Sequence, residues 1–449
     1  MENWDATETA QRIAAGEVSA AEVMTEAIKR TEAWNPKLNA LTHFDPSGAM
    51  AAAATPRPGV FSGVPTFVKD LEDLEGVPTG CGTAAFSPGP AKRSADTVSQ
   101  FLDTGLIPIG KTTTSEFGLT GTVEPVGGTP TANPINLAHT AGGSSGGAAA
   151  MVAAGVVPIA HGGDGGGSIR IPAAFCGLVG LKPSRGRLAV MDKTQRMAIR
   201  IAQMGILTNT VRDTANYYAA VEQAAPAEGL APVGLVEGPG KDKLRIGAFI
   251  DTPISRDIDP EVRRATEATA SSLADMGHEV QWVDAPAGQQ IADDFLLYWA
   301  FNAFLLQMLL TAAPQARARK LEPWTRSLAA EARKKIFKVQ GAIKRLRAYE
   351  ETYEGIFEGV DVLLCPTTAG PAPRIGELSP DQDFEEKRDK LLGLLPYTPI
   401  QNITGAPAIS VPIGRTESGL PMGVQLAGPK GGEARLLSLA FALEEAHAS

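Results

Sequence analysis

Two serine sites set among glycines carry the chemistry this sequence can offer. One is the pair Ser144 and Ser145 in HTAGGSSGG; the other is Ser168, which ends HGGDGGGS 24 positions further on. A tract such as GGSSGG alone is compatible with a flexible linker. Here, however, mostly apolar runs follow each site, over 148–157 and 169–181, and these must be packed, so the glycines punctuate a core. Lacking a Cβ, glycines let backbone N–H groups converge on one point, which suits a phosphate or a developing oxyanion. No GxxxxGK precedes a Ser or Thr and neither tract fits GxGxxG, which removes the phosphate motifs. The oxyanion reading is retained, with Ser168 as the nucleophile beside it.

A nucleophilic serine needs a base. The chain has five histidines, His43, His139, His161, His278 and His447, and it also has Lys69, which ends the apolar, strand-like GVPTFVK. A lone lysine after apolar residues ordinarily snorkels its charge to water. Buried instead, it would lose its proton more readily. On the residues alone both kinds of base stay open.

Taken together, GVPTFVKD around Lys69, GGSSGG around Ser144, GGDGGGSIRIPA around Ser168 and GLVGLKPSRGR ending at Arg187 resemble the amidase signature family of serine hydrolases. The spacings, 75 positions from Lys69 to Ser144 and 24 from Ser144 to Ser168, are also those of that family. The resemblance implies a Ser–cisSer–Lys triad of Ser168, Ser144 and Lys69, with a cis bond between Gly143 and Ser144. It implies an oxyanion hole from the amides of Gly165, Gly166, Gly167 and Ser168. Ser145, Asp164 and Arg170 then support the site without shuttling protons. The reaction implied is hydrolysis of amides, hydrophobic or aryl ones by the character of the flanking segments, with carbamates possible, and with no metal or organic cofactor. The fold implied is α/β, one large domain over 1–449 with a mixed β-sheet flanked by helices on both faces. Within it 60–187 is the signature region and 188–360 a variable lid and pocket wall. Ile206, Thr208 and Asn209 depart from the residues usual after the site, which leaves the triad intact and alters the local pocket.

Composition agrees with a globular protein. At 449 residues, 43% hydrophobic and 20% charged, the chain can bury a sizeable core. A formal charge of −9 gives no overall attraction to nucleic acid or to anionic membrane. Cys81, Cys176 and Cys365 suit buried thiols in a reducing compartment, and MENWDATETAQ lacks the pattern of a secretory leader, so a cytoplasmic monomer or homodimer acting on a small molecule is expected.

These residues need elements to hold them. Residues 148–154 read as a helix and 155–160 as a buried strand, placing both serine sites on loops. Ser19 with Glu22 forms a capping box at the start of a helix, and 97–102 with 106–111 reads as a helix and a strand. The Gly-, Pro- and Thr-rich stretch 118–137 reads as a long loop of the kind that borders a site. Residues 188–204 suit a flap. A strand, helix, strand succession over 244–283 indicates a parallel unit. The apolar segment 295–313 is long enough to cross a bilayer but reads as a buried or pocket-lining helix, and the charge run 331–347 as a solvated helix face.

Two other readings use the same residues. Gly143, Ser145 and Gly147 satisfy GxSxG, but no apolar strand precedes them and the partner histidine would be His278 or His447. An amidotransferase subunit, or a noncatalytic binding protein, would keep the fold and change the task.

Overall fold

The computed structural model describes residues 4–195, 197–255, 257–313 and 316–448. Its thirteen strands, in chain order, are β1 Leu41–Phe44, β2 Pro65–Lys69, β3 Ile107–Thr112, β4 Ala132–Asn133, β5 Asn136–Thr140, β6 Ile159–Asp164 and β7 Val179–Lys182, then β8 Gln203–Thr208, β9 Arg245–Ala248, β10 Glu279–Trp282, β11 Val362–Pro366, β12 Ala408–Arg415 and β13 Pro421–Ala427. Eight form the main sheet in the order β10-β9-β11-β13-β12-β7-β8-β6. The β10/β9 and β9/β11 pairs are parallel and the others antiparallel, so the sheet is mixed as expected.

The second sheet, β1-β3-β2, positions the base. Its strand β2 packs beside β6, the edge of the main sheet, and the Thr66 hydroxyl donates to the Ile159 carbonyl at 2.8 Å. All five residues of β2 are buried, PTFV with apolar or small side chains and Lys69 with polar partners across the seam. The site therefore sits at the seam between two sheets. The Thr66 bond and one from the Lys69 amine to the Gly163 carbonyl at 3.0 Å cross the seam and set the register of β2 against β6.

Three elements differ from expectation, one being the 118–137 loop, whose end pairs as β4 and β5. The strand foreseen over 155–160 begins at Ile159 and runs on through HGGD to Asp164. Gly155 adopts φ +66° beyond the helix Gly146–Ala153, and Pro158 has no N–H to give a ladder, so pairing starts after it. The apolar segment near 295–313 lies in the helix Gln289–Ala312, and only its first half is enclosed. Phe295, Tyr298, Ala300 and Ala303 are buried, whereas Leu305, Met308 and Leu309 are exposed.

The capping box of Ser19 and Glu22 is present, and the three cysteines are buried and free. Of the stretch 188–204, residues 203 and 204 already belong to β8, and 188–202 form an irregular strap, with Arg196 outside the described residues. Tyr298 fastens it by accepting from the Ile199 amide at 2.9 Å and donating to the Ile199 carbonyl at 2.8 Å.

Candidate active site

Lys69 closes β2 and extends its side chain across the seam. It is fully buried. Its Nζ stands 2.8 Å from Ser144 Oγ, 2.8 Å from Ser145 Oγ and 3.0 Å from the Gly163 carbonyl. Burial draws the amine down to about 7, against an upward pull from Asp164 and Glu72. The adjoining Asp70 takes no part, since its carboxylate pairs with Lys111 at 2.7 Å.

The proton inventory around this amine is restrictive. Ser145 Oγ donates its one hydrogen to Gly163 O at 3.1 Å and accepts from Gly163 N at 3.2 Å, so Lys69 must donate to it. Gly163 O can only accept. A neutral lysine has two N–H bonds, and these are then committed to Ser145 Oγ and Gly163 O. Its lone pair is left for the hydroxyl of Ser144.

Ser144 follows a cis peptide bond from Gly143. The stretch 118–137 borders it as expected: a Cβ built on Gly118 would lie 3.2 Å from Ser144 Oγ, and one on Gly143 would lie 2.8 Å from the Thr122 amide nitrogen. That second approach excludes any side chain at 143.

Ser168 lies in the turn between β6 and the helix Arg170–Cys176 and is 6% exposed. Its carbonyl accepts from Ser145 N at 3.2 Å, which joins the two serine loops. Among the described residues its hydroxyl makes no hydrogen bond to Ser144. The structure thus joins Lys69 to Ser144 and Ser145, and ties the Ser168 turn to them through the Ser145 amide.

Asp164 and Arg170 brace the turn. Both side chains are wholly buried and meet at 2.9 Å. All five donors of Arg170 are used, on both oxygens of Asp164, on Gln401, on Gln425 and on Asn402. Burial pushes the Asp164 carboxyl up, but the Arg170 charge and the bonds from Arg170 and Asn402 prevail and hold it below the ordinary range. Asp164 also accepts from the Gly167 amide at 2.7 Å. Of the four amides expected in the oxyanion hole, that of Gly167 is therefore engaged elsewhere. Among the described residues those of Gly165, Gly166 and Ser168 have no such partner.

The wall opposite these amides is aromatic. A Cβ on Gly165 would lie 3.4 Å from the Trp299 ring, and one on Gly166 would lie 3.4 Å from Phe295. The Trp299 indole is fixed by donation to the Leu119 carbonyl at 3.3 Å, which also receives Trp324 at 2.9 Å. Thr398 holds the Gly166 carbonyl at 2.7 Å. Gln401, Asn402, Gln425 and Thr398 were not singled out by sequence reasoning. Their one signal is uncharged polar residues inside apolar segments, TPIQNITGAP for Thr398, Gln401 and Asn402 and PMGVQLAG for Gln425.

The family model described as Amidase matches residues 22–437, most of the chain and all of these site residues. The chain belongs to the amidase family. As such it is an enzyme, a hydrolase of amides. This amidase is 44% identical over 448 residues to AmiC of Mycobacterium tuberculosis, covering 98% of this chain and 94% of that one. It is 32% identical over 488 residues to the 6-aminohexanoate-cyclic-dimer hydrolase of Paenarthrobacter ureafaciens, with coverage of 98% and 94%. Its fold superposes on a bacterial aryl acylamidase of the amidase signature family with a TM-score of 0.87 at 28% identity, covering 99% of this amidase and 96% of that chain.

Proposed function

We propose that this amidase cleaves hydrophobic, aryl-bearing amides through an acyl-enzyme on Ser168. The observation that carries the mechanism is the buried Lys69 amine, 2.8 Å from Ser144 Oγ and with its proton affinity drawn down to about 7. Lys69 takes the hydroxyl proton of Ser144, and Ser144 takes that of Ser168 as Ser168 Oγ bonds to the carbonyl carbon. The carbonyl oxygen becomes an oxyanion facing the amides of Gly165, Gly166 and Ser168, where each donor contributes about 3 kcal/mol of barrier lowering. Collapse breaks the C–N bond, and the proton returns through Ser144 to the leaving amine. Water then repeats the relay in place of Ser168 and frees the acid.

The substrate class rests on Phe295 and Trp299, which face the oxyanion glycines and offer an acyl or amine group an apolar, stacking surface. The relatives named for aryl amides and for a cyclic amide dimer support an apolar substrate. A carbamate presents the same carbonyl with one more oxygen and falls within the same reading.

The test is a panel of acetamide, anilides, aryl carbamates and an ester, run on the parent and on Ser168→Ala. Anilide turnover far above acetamide, lost in Ser168→Ala, is the expected result. Equal turnover of acetamide and anilides refutes the substrate class, and full activity in Ser168→Ala refutes the mechanism.

A further inference from the structure

Between Arg317 and Arg347 the chain carries eleven Lys or Arg residues against two acidic ones, Glu322 and Glu331. This is a local net charge of +9 in a chain whose total is −9. All eleven basic residues are exposed. Taken along one helix, such a run is a solvated face. The fold adds an apolar neighbour to it.

The run forms the helices Pro323–Lys334 and Ile336–Ile356, which flank the long helix Gln289–Ala312. Three contacts give their directions. Trp299 and Trp324 share the Leu119 carbonyl, so the second helix begins beside residue 299. The Arg333 guanidinium lies 5.8 Å from the centre of the Phe304 ring, so these two helices run the same way. Arg345 pairs with Asp294 at 2.6 Å, so the third runs back.

The turn at 333–338 therefore lies at the same end of this bundle as the last two turns of the long helix. Leu305, Met308, Leu309 and Phe337 there are 41%, 53%, 69% and 97% exposed. Arg333, Lys334, Lys335 and Lys338 are at this turn, with Glu331 2.6 Å from Lys334 and 3.6 Å from Lys335 as the one acidic partner among the described residues there.

A single exposed apolar side chain calls for no explanation, but several gathered at one end of a bundle do. Apolar tips ringed by cations fit the boundary of a lipid headgroup layer, where the tips enter the acyl region and the cations meet anionic headgroups. The same cations repel a second copy of this face. We propose that the Leu309–Phe337 end of this bundle docks on an anionic lipid surface. The proposal does not depend on the substrate assigned above.

The test is cosedimentation of the full chain with phosphatidylcholine vesicles, with and without phosphatidylglycerol, at low and high salt. Binding is expected only with phosphatidylglycerol, and it should weaken as salt rises. Loss of each surface cation reduces binding about fivefold, so the variant K334E/K335E/K338E should bind at least about a hundredfold more weakly. The variant L309S/F337S should also bind more weakly while its melting temperature and its hydrolysis of a small soluble amide stay those of the parent.

Absence of binding to phosphatidylglycerol vesicles at low salt overturns the proposal, as does binding unchanged in both variants. A parent that elutes as a dimer, with L309S/F337S a monomer, makes this face a self-association surface and overturns it equally. So does capture by polyglutamate that matches vesicle binding and ignores L309S/F337S, which assigns the face to an acidic protein.

Discussion

The carboxylate of Asp70 and the amine of Lys111 pair at 2.7 Å on the far side of β2 from the site, with side chains 3% and 0% exposed. The pair explains how a lysine can act as a base next to an aspartate. Asp70, the first residue past β2, is held away from its neighbour by Lys111 and by the Gly80 amide. Lys69 is left with serine hydroxyls and a carbonyl, none of which favours an ammonium as a carboxylate would.

The pH profile follows from this. The relay needs the neutral amine, and burial has drawn Lys69 down to about 7. Acid therefore removes activity: kcat/KM should fall about tenfold per pH unit below about 7 and level off above it. Initial rates on a neutral anilide measure this limb. A limb near 4, or none between 5 and 9, contradicts the assignment.

Lys69 should also cost stability. In the unfolded chain its amine titrates near 10.4. Between that value and about 7 the unfolded chain holds a proton the folded one lacks, so the penalty is full below about 7 and fades as pH rises. The shift corresponds to roughly 5 kcal/mol, and the three hydrogen bonds of the amine return about 1 kcal/mol each. Lys69→Met should thus be inactive yet more stable by about 2 kcal/mol at pH 7, with the gain gone by about pH 8.5 and the variant about 2 kcal/mol less stable than the parent by pH 10, where only the lost bonds remain. Urea unfolding of both proteins at pH 7 and pH 10 measures it. A variant less stable than the parent at pH 7 shows that the amine is not held neutral.

Ser145 separates the relay from the GxSxG alternative. Its hydroxyl accepts one N–H of Lys69 at 2.8 Å and donates to Gly163 O, so it orients the amine without lying on the proton path. Ser145→Ala should lower kcat about tenfold to a hundredfold, leave KM nearly unchanged and preserve labelling of Ser168 by a fluorophosphonate. Ser168→Ala should abolish both turnover and labelling. The reverse pattern would make Ser145 the nucleophile.

The site was legible where function demands unusual residues. Glycines crowded around serines and followed by apolar runs marked Ser144 and Ser168 by type and spacing, whereas Lys69 was set apart from the histidines only by the resemblance to the amidase signature family. The sheet was legible through its apolar runs. The boundary of β6 was misplaced because Pro158 and Gly155 interrupt the apolar run, while the strand continues through HGGD, which carries almost no hydrophobic signal. The commitment of the Gly167 amide to Asp164 depends on three-dimensional aim and leaves no trace in spacing. The uncharged partners of Arg170 lie 231 to 255 positions away, on Gln401, Asn402 and Gln425, too far for any local pattern to connect them. Nor does composition locate a patch: a total of −9 averages away the basic end of the helical bundle.

The aromatic wall gives the prediction closest to substrate choice. Trp299 is held by the Leu119 carbonyl, and its ring faces Gly165 within contact distance of where a Cβ would be. An aryl group bound there gains the contact of a pre-positioned ring, about 1 kcal/mol beyond the area it buries. Acetamide is too small to reach it. Trp299→Ala should therefore cut kcat/KM for an anilide about tenfold to a hundredfold and leave that for acetamide within about threefold. Trp299→Phe, which keeps the ring and loses the bond to Leu119, should fall between the two. A uniform loss on both substrates would show that Trp299 supports the oxyanion turn and does not select the substrate.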